Sequence, residues 1–281
     1  MSQIKGIRSS EFSVPRFTDS KTGSSSRGNY GNIETVSTSS NSLSSSSSVD
    51  SETLDLTSVL SVGEISNIDF GLSTDVANQR LNYIYSYLKK YGMDDVHNAA
   101  ILGNIRFESG AQINPAANTE RLLHDDYEHN VYLDQRTGEE IITFDWSRRD
   151  DSEYKEQARK DLLESKAVPI YGGIGLVQWT GGLWDDATKS WVTGKNGSKK
   201  ADFLNWCNAR DKDWYEIDTQ LEYITYEYND WDLKNDFENI GNVSDAARFY
   251  CNNFERPGDD TVDDRISLAN GFYQAIIDYN K

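Results

Sequence analysis

The chain has 281 residues, a formal net charge of -18 and a pI near 4.5, which excludes general attraction to nucleic acid or anionic membranes because like charges repel. Its length suits one large domain or two small ones with a real core. No apolar run of about 18 residues exists and no basic stretch opens onto an apolar one at the N-terminus, so neither a membrane span nor a secretory signal is expected.

Residues 36–51, VSTSSNSLSSSSSVDS, offer almost nothing to bury. Residues 1–63 are therefore read as a flexible Ser-rich arm or tether and residues 64–281 as the folded domain. The arm is nearly neutral, so the acidity sits in the domain.

Ala77, Leu81, Ile84, Leu88 and Tyr91 recur at spacings of four and three, the stripe of a helix that ends at Gly92. A second helix is expected after Asp94 and Asp95, whose carboxylates suit a helix start, running through AAILGNIRFE to stop at Ser109-Gly110. Gly103 in its interior costs roughly 1 kcal/mol against alanine, which points to a close helix contact. A β-hairpin around Thr137-Gly138 and a charged helix over 153–165 come next. Residues 183–200 read as a second small hairpin or loop. Helices are expected over 199–210, 216–229, 244–255 and 263–279, with Ser244 as an N-cap and Pro257 as a stop. The predicted fold is mainly α (α+β), with a small β element inserted between the second helix and the turn YGGIGLVQWTGG at 171–182.

Two segments carry chemistry. IRFESG places Glu108 in the last turn of the second helix. Cleaving a glycosidic bond requires a proton delivered to the leaving oxygen, and a free glutamate with a pKa of about 4.3 holds none at neutral pH. The negative helix end, the neighbouring Phe107 and the acidic protein all favour retaining that proton. A glutamate at a helix end is ordinarily a solvated surface residue, so position alone does not assign the role. In the turn, Gly172, Gly173 and Gly175 allow close backbone approach to a ligand, Gln178 offers a donor and an acceptor to sugar hydroxyls, and Trp179 offers a stacking face. GGIG alone is a weak signal.

Other site classes fit poorly. No GK[ST] follows the glycines, so the turn is no nucleotide loop. His124 and His129 lack the HExxH spacing, and no metal or cofactor is expected. Cys207 and Cys251 allow one disulfide but are read as buried free thiols, and neither has the surroundings of a peptidase nucleophile. Of the tryptophans, Trp146, Trp179, Trp184 and Trp191 fall on loops and hairpins and are read as ligand contacts, whereas Trp206, Trp214 and Trp231 are read as packing.

NAAILGNIRFESG, GIGLVQWTGG, TQLEYITYEYND and AARFYCNNFERPG, in that order and followed by a closing helix, resemble the phage tail lysozyme family over residues 75–280. The resemblance implies a lysozyme-like fold and a peptidoglycan hydrolase of a phage tail. It implies Glu108 as catalytic acid, Gly175 to Trp179 as a strand lining the cleft, and Tyr171 beside them as a substrate contact. Glu255 and Arg256 match a recurrent pair, read as a salt bridge or helix end. A second carboxylate is expected between Asn118 and Pro169, with Glu120, Asp125, Asp126 and Asp145 as candidates. A spacing of roughly 5 to 5.5 Å would retain anomeric configuration and roughly 6.5 to 9.5 Å would invert it. Without such a partner, a lytic transglycosylase needs only one acid/base. The same fold would also suit a bacterial or conjugative wall remodeller, or a non-catalytic wall-binding or structural tail protein. An arm that tethers the enzyme to a virion tail would supply an effective concentration near millimolar despite the charge of the domain.

Overall fold

The computed structural model describes residues 60–116, 131–143, 146–148, 151–170, 172–194, 197–255 and 261–281. The chain divides into two units, Met1–Ser51, which lies outside the described residues, and Glu52–Lys281, which holds the fold. Leu60, on the arm side of the boundary expected at residue 63, is already buried in the core with Ile68 and Phe70.

Helix α1 (Asp75–Lys90) starts at Thr74, whose hydroxyl accepts from Ala77 N at 3.2 Å, a cap of about 1 kcal/mol. Ala77, Leu81, Ile84 and Leu88 form its buried stripe, as the spacing predicts, whereas Tyr91, expected to complete it, caps the helix and is 38% exposed, and Gly92 turns the chain at φ 104°. Asn82 holds the incoming segment against α1, accepting from Ile68 N at 2.7 Å and donating to Ile68 O at 2.8 Å.

Helix α2 (Asp95–Ser109) is capped by Asp94, which accepts from His97 N at 2.9 Å. Every residue from His97 to Ile105 is buried. A helix covered on all sides needs no polar face, which is why HNAAILGNI carries small and apolar residues nearly throughout. Helix α8 (Val262–Tyr279) crosses it with Arg265, Ala269, Phe272 and Ile276 buried. At the crossing, a Cβ on Gly103 would lie 2.7 Å from Ala269 N and 2.8 Å from Arg265 O, so only glycine permits this approach. The expected close contact at Gly103 is thus with α8.

Strands β1 (Val131–Leu133) and β2 (Glu140–Thr143) pair antiparallel, and β3 (Val168–Pro169) joins the far side of β1, in the order β2-β1-β3. Asp134 folds the hairpin turn by accepting from Arg136 N and Thr137 N at 2.8 and 2.7 Å. Helix α3 (Ser152–Ser165) leads into β3, a strand too short to leave a periodic signal. The second hairpin, β4 (Leu183–Asp185) with β5 (Ser190–Val192), forms a sheet of its own.

Helices α4 (Lys199–Asn208) and α5 (Ile217–Asn229) match expectation, and α6 (Lys234–Glu238) was not foreseen. Helix α7 (Val243–Tyr250) begins at Asn242 and not at Ser244, because Asn242 has the extended backbone of a cap and accepts from Asp245 N at 2.9 Å. It does not continue as α-helix to residue 255: Cys251–Glu255 is a π-helical turn. Both cysteines are buried, as read, and burial pushes the Cys207 thiol up to about 12. Among the described residues no helix is long and apolar enough to cross a membrane.

Candidate active site

Glu108 ends its side chain against Arg265, whose Nη2 donates to Glu108 Oε1. Arg265 is 1% exposed and Glu108 18%, so the pair has one buried partner and one that reaches solvent. The guanidinium is held on every side. Its Nη1 donates to Asn104 at 3.3 Å, its Nε to Thr261 at 3.2 Å, and it lies 4.4 Å over the Phe107 ring. Phe107 therefore supports a cation beside Glu108 instead of forming an apolar wall against its charge. The Gly103 crossing fixes this arrangement, since Arg265 lies one helical turn before Ala269 on the stripe of α8 that packs on α2. An arginine in the series Arg265, Ala269, Phe272, Ile276 was the sequence signal that could have revealed it.

A second carboxyl lies within electrostatic reach of the first. Burial, and then the charge of Glu108, push Glu255 well above the usual carboxylate range, against the opposing pull of Lys199 and Arg265. Its Oε1 is buried without a hydrogen-bond partner among the described residues. A third, Glu227 on α5, is also raised by burial; it accepts from Trp179 Nε1 at 2.8 Å and lies 3.8 Å from Lys199 Nζ. Lys199 in turn donates to Phe254 O at 2.9 Å, tying α4 to the π-turn.

The glycine-rich segment is a turn and not the strand expected from the resemblance: among its described residues Ile174 and Trp179 form an isolated bridge across it, and Gln178 sits at φ 53°. Gly175 serves internal packing, because a Cβ there would lie 2.7 Å from Gln220 Oε1 and 2.8 Å from the Trp179 ring. Gln178, half-buried, donates its amide to Gly175 O at 2.8 Å. Trp179 has no open face for a sugar: it is 1% exposed and stacks on Phe203 at 4.1 Å. Its indole N–H instead orients Glu227. Trp191 is likewise buried and donates to Gln135 O, and Trp214 is buried as expected. Trp184 packs edge-on against Trp191 and over the position where Gly138 lacks a side chain. Trp206 and Trp231 pack partly buried against the core.

Two buried side chains hold the turn. Lys200, 1% exposed, donates to Pro169 O, Ile170 O and Gly172 O at 2.9, 2.8 and 3.3 Å. Gln220 accepts from Leu176 N at 2.7 Å and donates to Pro115 O at 2.7 Å and Trp214 O at 2.8 Å. Gln220 thereby joins the turn, α5 and the loop that follows α2. Tyr171, Glu120, Asp125, Asp126, Asp145, His124, His129 and Arg256 lie outside the described residues, as does the side chain of Trp146. No group of three or more His, Cys, Asp or Glu able to hold a metal occurs among the described residues. Two surface concavities lie away from Glu108, one of about 570 Å³ between Asn67–Gly71 and α8, the other of about 340 Å³ around Tyr91, His97 and Lys234.

A mainly helical α+β domain, with a carboxyl at the end of its buried central helix and small antiparallel sheets inserted after it, is a lysozyme-like fold. The sequence profile of phage tail lysozyme matches residues 79–276, and the chain belongs to that family. No match is found among curated proteins. Family membership gives the chain a lysozyme-like role in hydrolysing peptidoglycan at a phage tail.

Proposed function

We propose that the protein is a muramidase-type glycosidase of a phage tail that opens the peptidoglycan glycan locally to assist DNA entry, with Glu108 as general acid. The observation that carries this reading is the position of Glu108, part-exposed at the end of α2 and fixed by Arg265 in a protein whose family acts on cell walls. Glu108 gives its proton to the glycosidic oxygen as the bond to C1 breaks, and the electron pair leaves with that oxygen. Water adds at C1 and its proton restores Glu108. Arg265 orients the carboxyl and stabilises it once the proton has left. Trp179, Lys200 and Gln220 act at one remove, by fixing Glu227 and the turn. Tyr171, Gly175 and Gln178 are kept as candidate substrate contacts, and residues 1–63 as the tether to tail proteins and thereby to the virion.

A lytic transglycosylase is the second reading. Glu255 buries its Oε1 without a hydrogen-bond partner among the described residues, whereas Glu108 is held by Arg265 and reaches solvent, and one acid/base suffices for that reaction. The sugar's own C6 hydroxyl then replaces water and an anhydro end results.

The test is digestion of purified peptidoglycan by the full chain and by Glu108→Gln, with the products read by mass spectrometry. Reducing-end muropeptides from the wild type, at a rate on the order of 100- to 10,000-fold above the variant, are expected. Anhydro products would establish the second reading. Equal release by both proteins would overturn Glu108 as the acid, and silence from both would favour a binding or structural tail protein.

A further inference from the structure

The smaller concavity, of about 340 Å³, lies at the opposite end of α2 from Glu108, and the reaction as drawn does not use it. Helix α2 is 15 residues long, so its two ends are roughly 20 Å apart at 1.5 Å per residue. The turn between α1 and α2 supplies Tyr91 and Asp94 to the concavity, the end of α5 supplies Tyr228, and α6 supplies Lys234 and Glu238. Buried His97 ties the first wall to the last: its Nδ1 pairs with Asp94 Oδ1 at 2.7 Å, its Nε2 with Phe237 O at 2.8 Å, and its ring packs edge-on to Phe237 at 4.7 Å. Tyr228 braces the floor, donating to Glu238 Oε1 at 3.0 Å with the Tyr91 ring edge-on to its own at 6.4 Å. The concavity is therefore preformed, and a ligand need not order it.

Its open surface combines an exposed tyrosine ring, the exposed carboxylates of Asp94 and Glu238, and the Lys234 ammonium 5.0 Å over the Tyr228 ring. A ring face beside hydrogen-bond acceptors and a donor suits a pyranose, which is apolar on its C–H face and ringed with hydroxyls. Two carboxylates against one lysine disfavour an anionic ligand, and a wholly apolar one would leave these polar groups desolvated without partners. We propose that this concavity is an accessory glycan-binding site that holds an uncharged N-acetylated amino-sugar unit of peptidoglycan while Glu108 cleaves elsewhere. That the glycan is peptidoglycan rests on the proposed function. The sugar ring stacks on Tyr91, Asp94 and Glu238 accept from its hydroxyls or amide N–H, and Lys234 donates to an oxygen. The volume, at the lower end for small-molecule sites, suits a single unit better than a long strand. A wall offers many strands at once, so a second contact on the same protein retains it at the surface between cleavages.

The test is a titration of the full-length Glu108→Gln protein with a peptide-free peptidoglycan tetrasaccharide, read from backbone amide NMR signals. Those of Tyr91, Asp94 and Lys234 should move saturably, and Tyr91→Ala in the same background should abolish the movement. With Glu108 restored, Tyr91→Ala should lower retention on, and turnover of, insoluble peptidoglycan about tenfold more than turnover of the tetrasaccharide. If Tyr91→Ala does not fold, Glu238→Gln replaces it, because the amide oxygen still accepts from Tyr228, and it should raise the sugar concentration at which the three signals move. Movement confined to residues around Glu108 would overturn this inference and leave the proposed function standing. Movement of the three signals that the variant leaves unchanged would overturn it as well. No movement anywhere also overturns it, and if the wild type then releases no product from peptidoglycan the proposed function falls with it.

Discussion

The site stands between two regions that are held in different ways. At the end of α2, helix meets helix through backbone: Gly103 lets α8 approach until Ala269 and Arg265 touch it, and the Glu108 carboxyl is placed by that contact. At the 169–182 turn, backbone is held by side chains sent from elsewhere, Lys200 from α4 and Gln220 from α5, each satisfying several peptide groups at once. The first arrangement depends on what a residue lacks, the second on what buried polar groups supply. Steric defects should therefore damage the helical side, and lost hydrogen bonds the turn.

The largest expected effect breaks the helical side electrostatically. Arg265→Leu removes a buried guanidinium and leaves Glu108, Asn104 and Thr261 without their donor, a loss of about 3 to 5 kcal/mol. Urea denaturation followed by circular dichroism measures it, and a loss under about 1 kcal/mol would mean that the pair is not fixed by burial.

Lys200→Met tests the turn, with an expected loss of about 2 kcal/mol at neutral pH as the carbonyls of Pro169, Ile170 and Gly172 lose their donor. Burial pushes the Lys200 ammonium down to about 8 from 10.5, so between those values the unfolded chain binds more protons than the folded one. Stability from this group accordingly rises with pH across that window, and the gap between wild type and Lys200→Met should widen. Parallel urea midpoints in neutral and alkaline buffers check the sign.

Gly103→Ala sharpens the contrast, because it adds a methyl where Ala269 Cβ would stand 2.8 Å away. Helices α2 and α8 must separate, at about 1 to 2 kcal/mol, and activity should fall further than that loss implies because Arg265 moves with α8. Alanine at Gly175 meets a side-chain amide and an indole ring instead, so those groups and not a helix would have to give way. The smallest effect is expected from Trp179→Phe, which keeps the stack on Phe203 but removes the donor to Glu227, at about 1 kcal/mol. Thermal unfolding against the wild type resolves it.

The helical side was largely legible in the sequence. The stripe of α1, the helix start at Asp94 and the close contact at Gly103 are local patterns of three to four residues' reach, and each left its mark. What paired with Glu108 was not read, although Arg265 stood in an apolar stripe, because a single cation at the start of a long helix looks like solvated surface. On the turn side it was Trp179 whose residue type misled: an indole suits a sugar subsite, yet an indole also makes core, and the neighbouring Gly175 also admits its ring. Which of these holds depends on Phe203, Gln220 and Glu227, dozens of residues away, and no spacing within the turn encodes them. Ser244 failed as a cap for a smaller reason, since Asn242 two residues earlier is the better one.

The π-turn at Cys251–Glu255 makes the site sensitive to the length of the chain as well as to its residues. Deleting one residue from that turn would let α7 run on in regular register and swing the following side chain by about 100° around the helix axis. Phe254 and Glu255 would exchange places with their neighbours while the rest of the core kept its contacts. A single-codon deletion could therefore uncouple hydrolysis from folding and yield an intact but silent protein, a change that neither a stability screen nor a search for altered catalytic residues would flag.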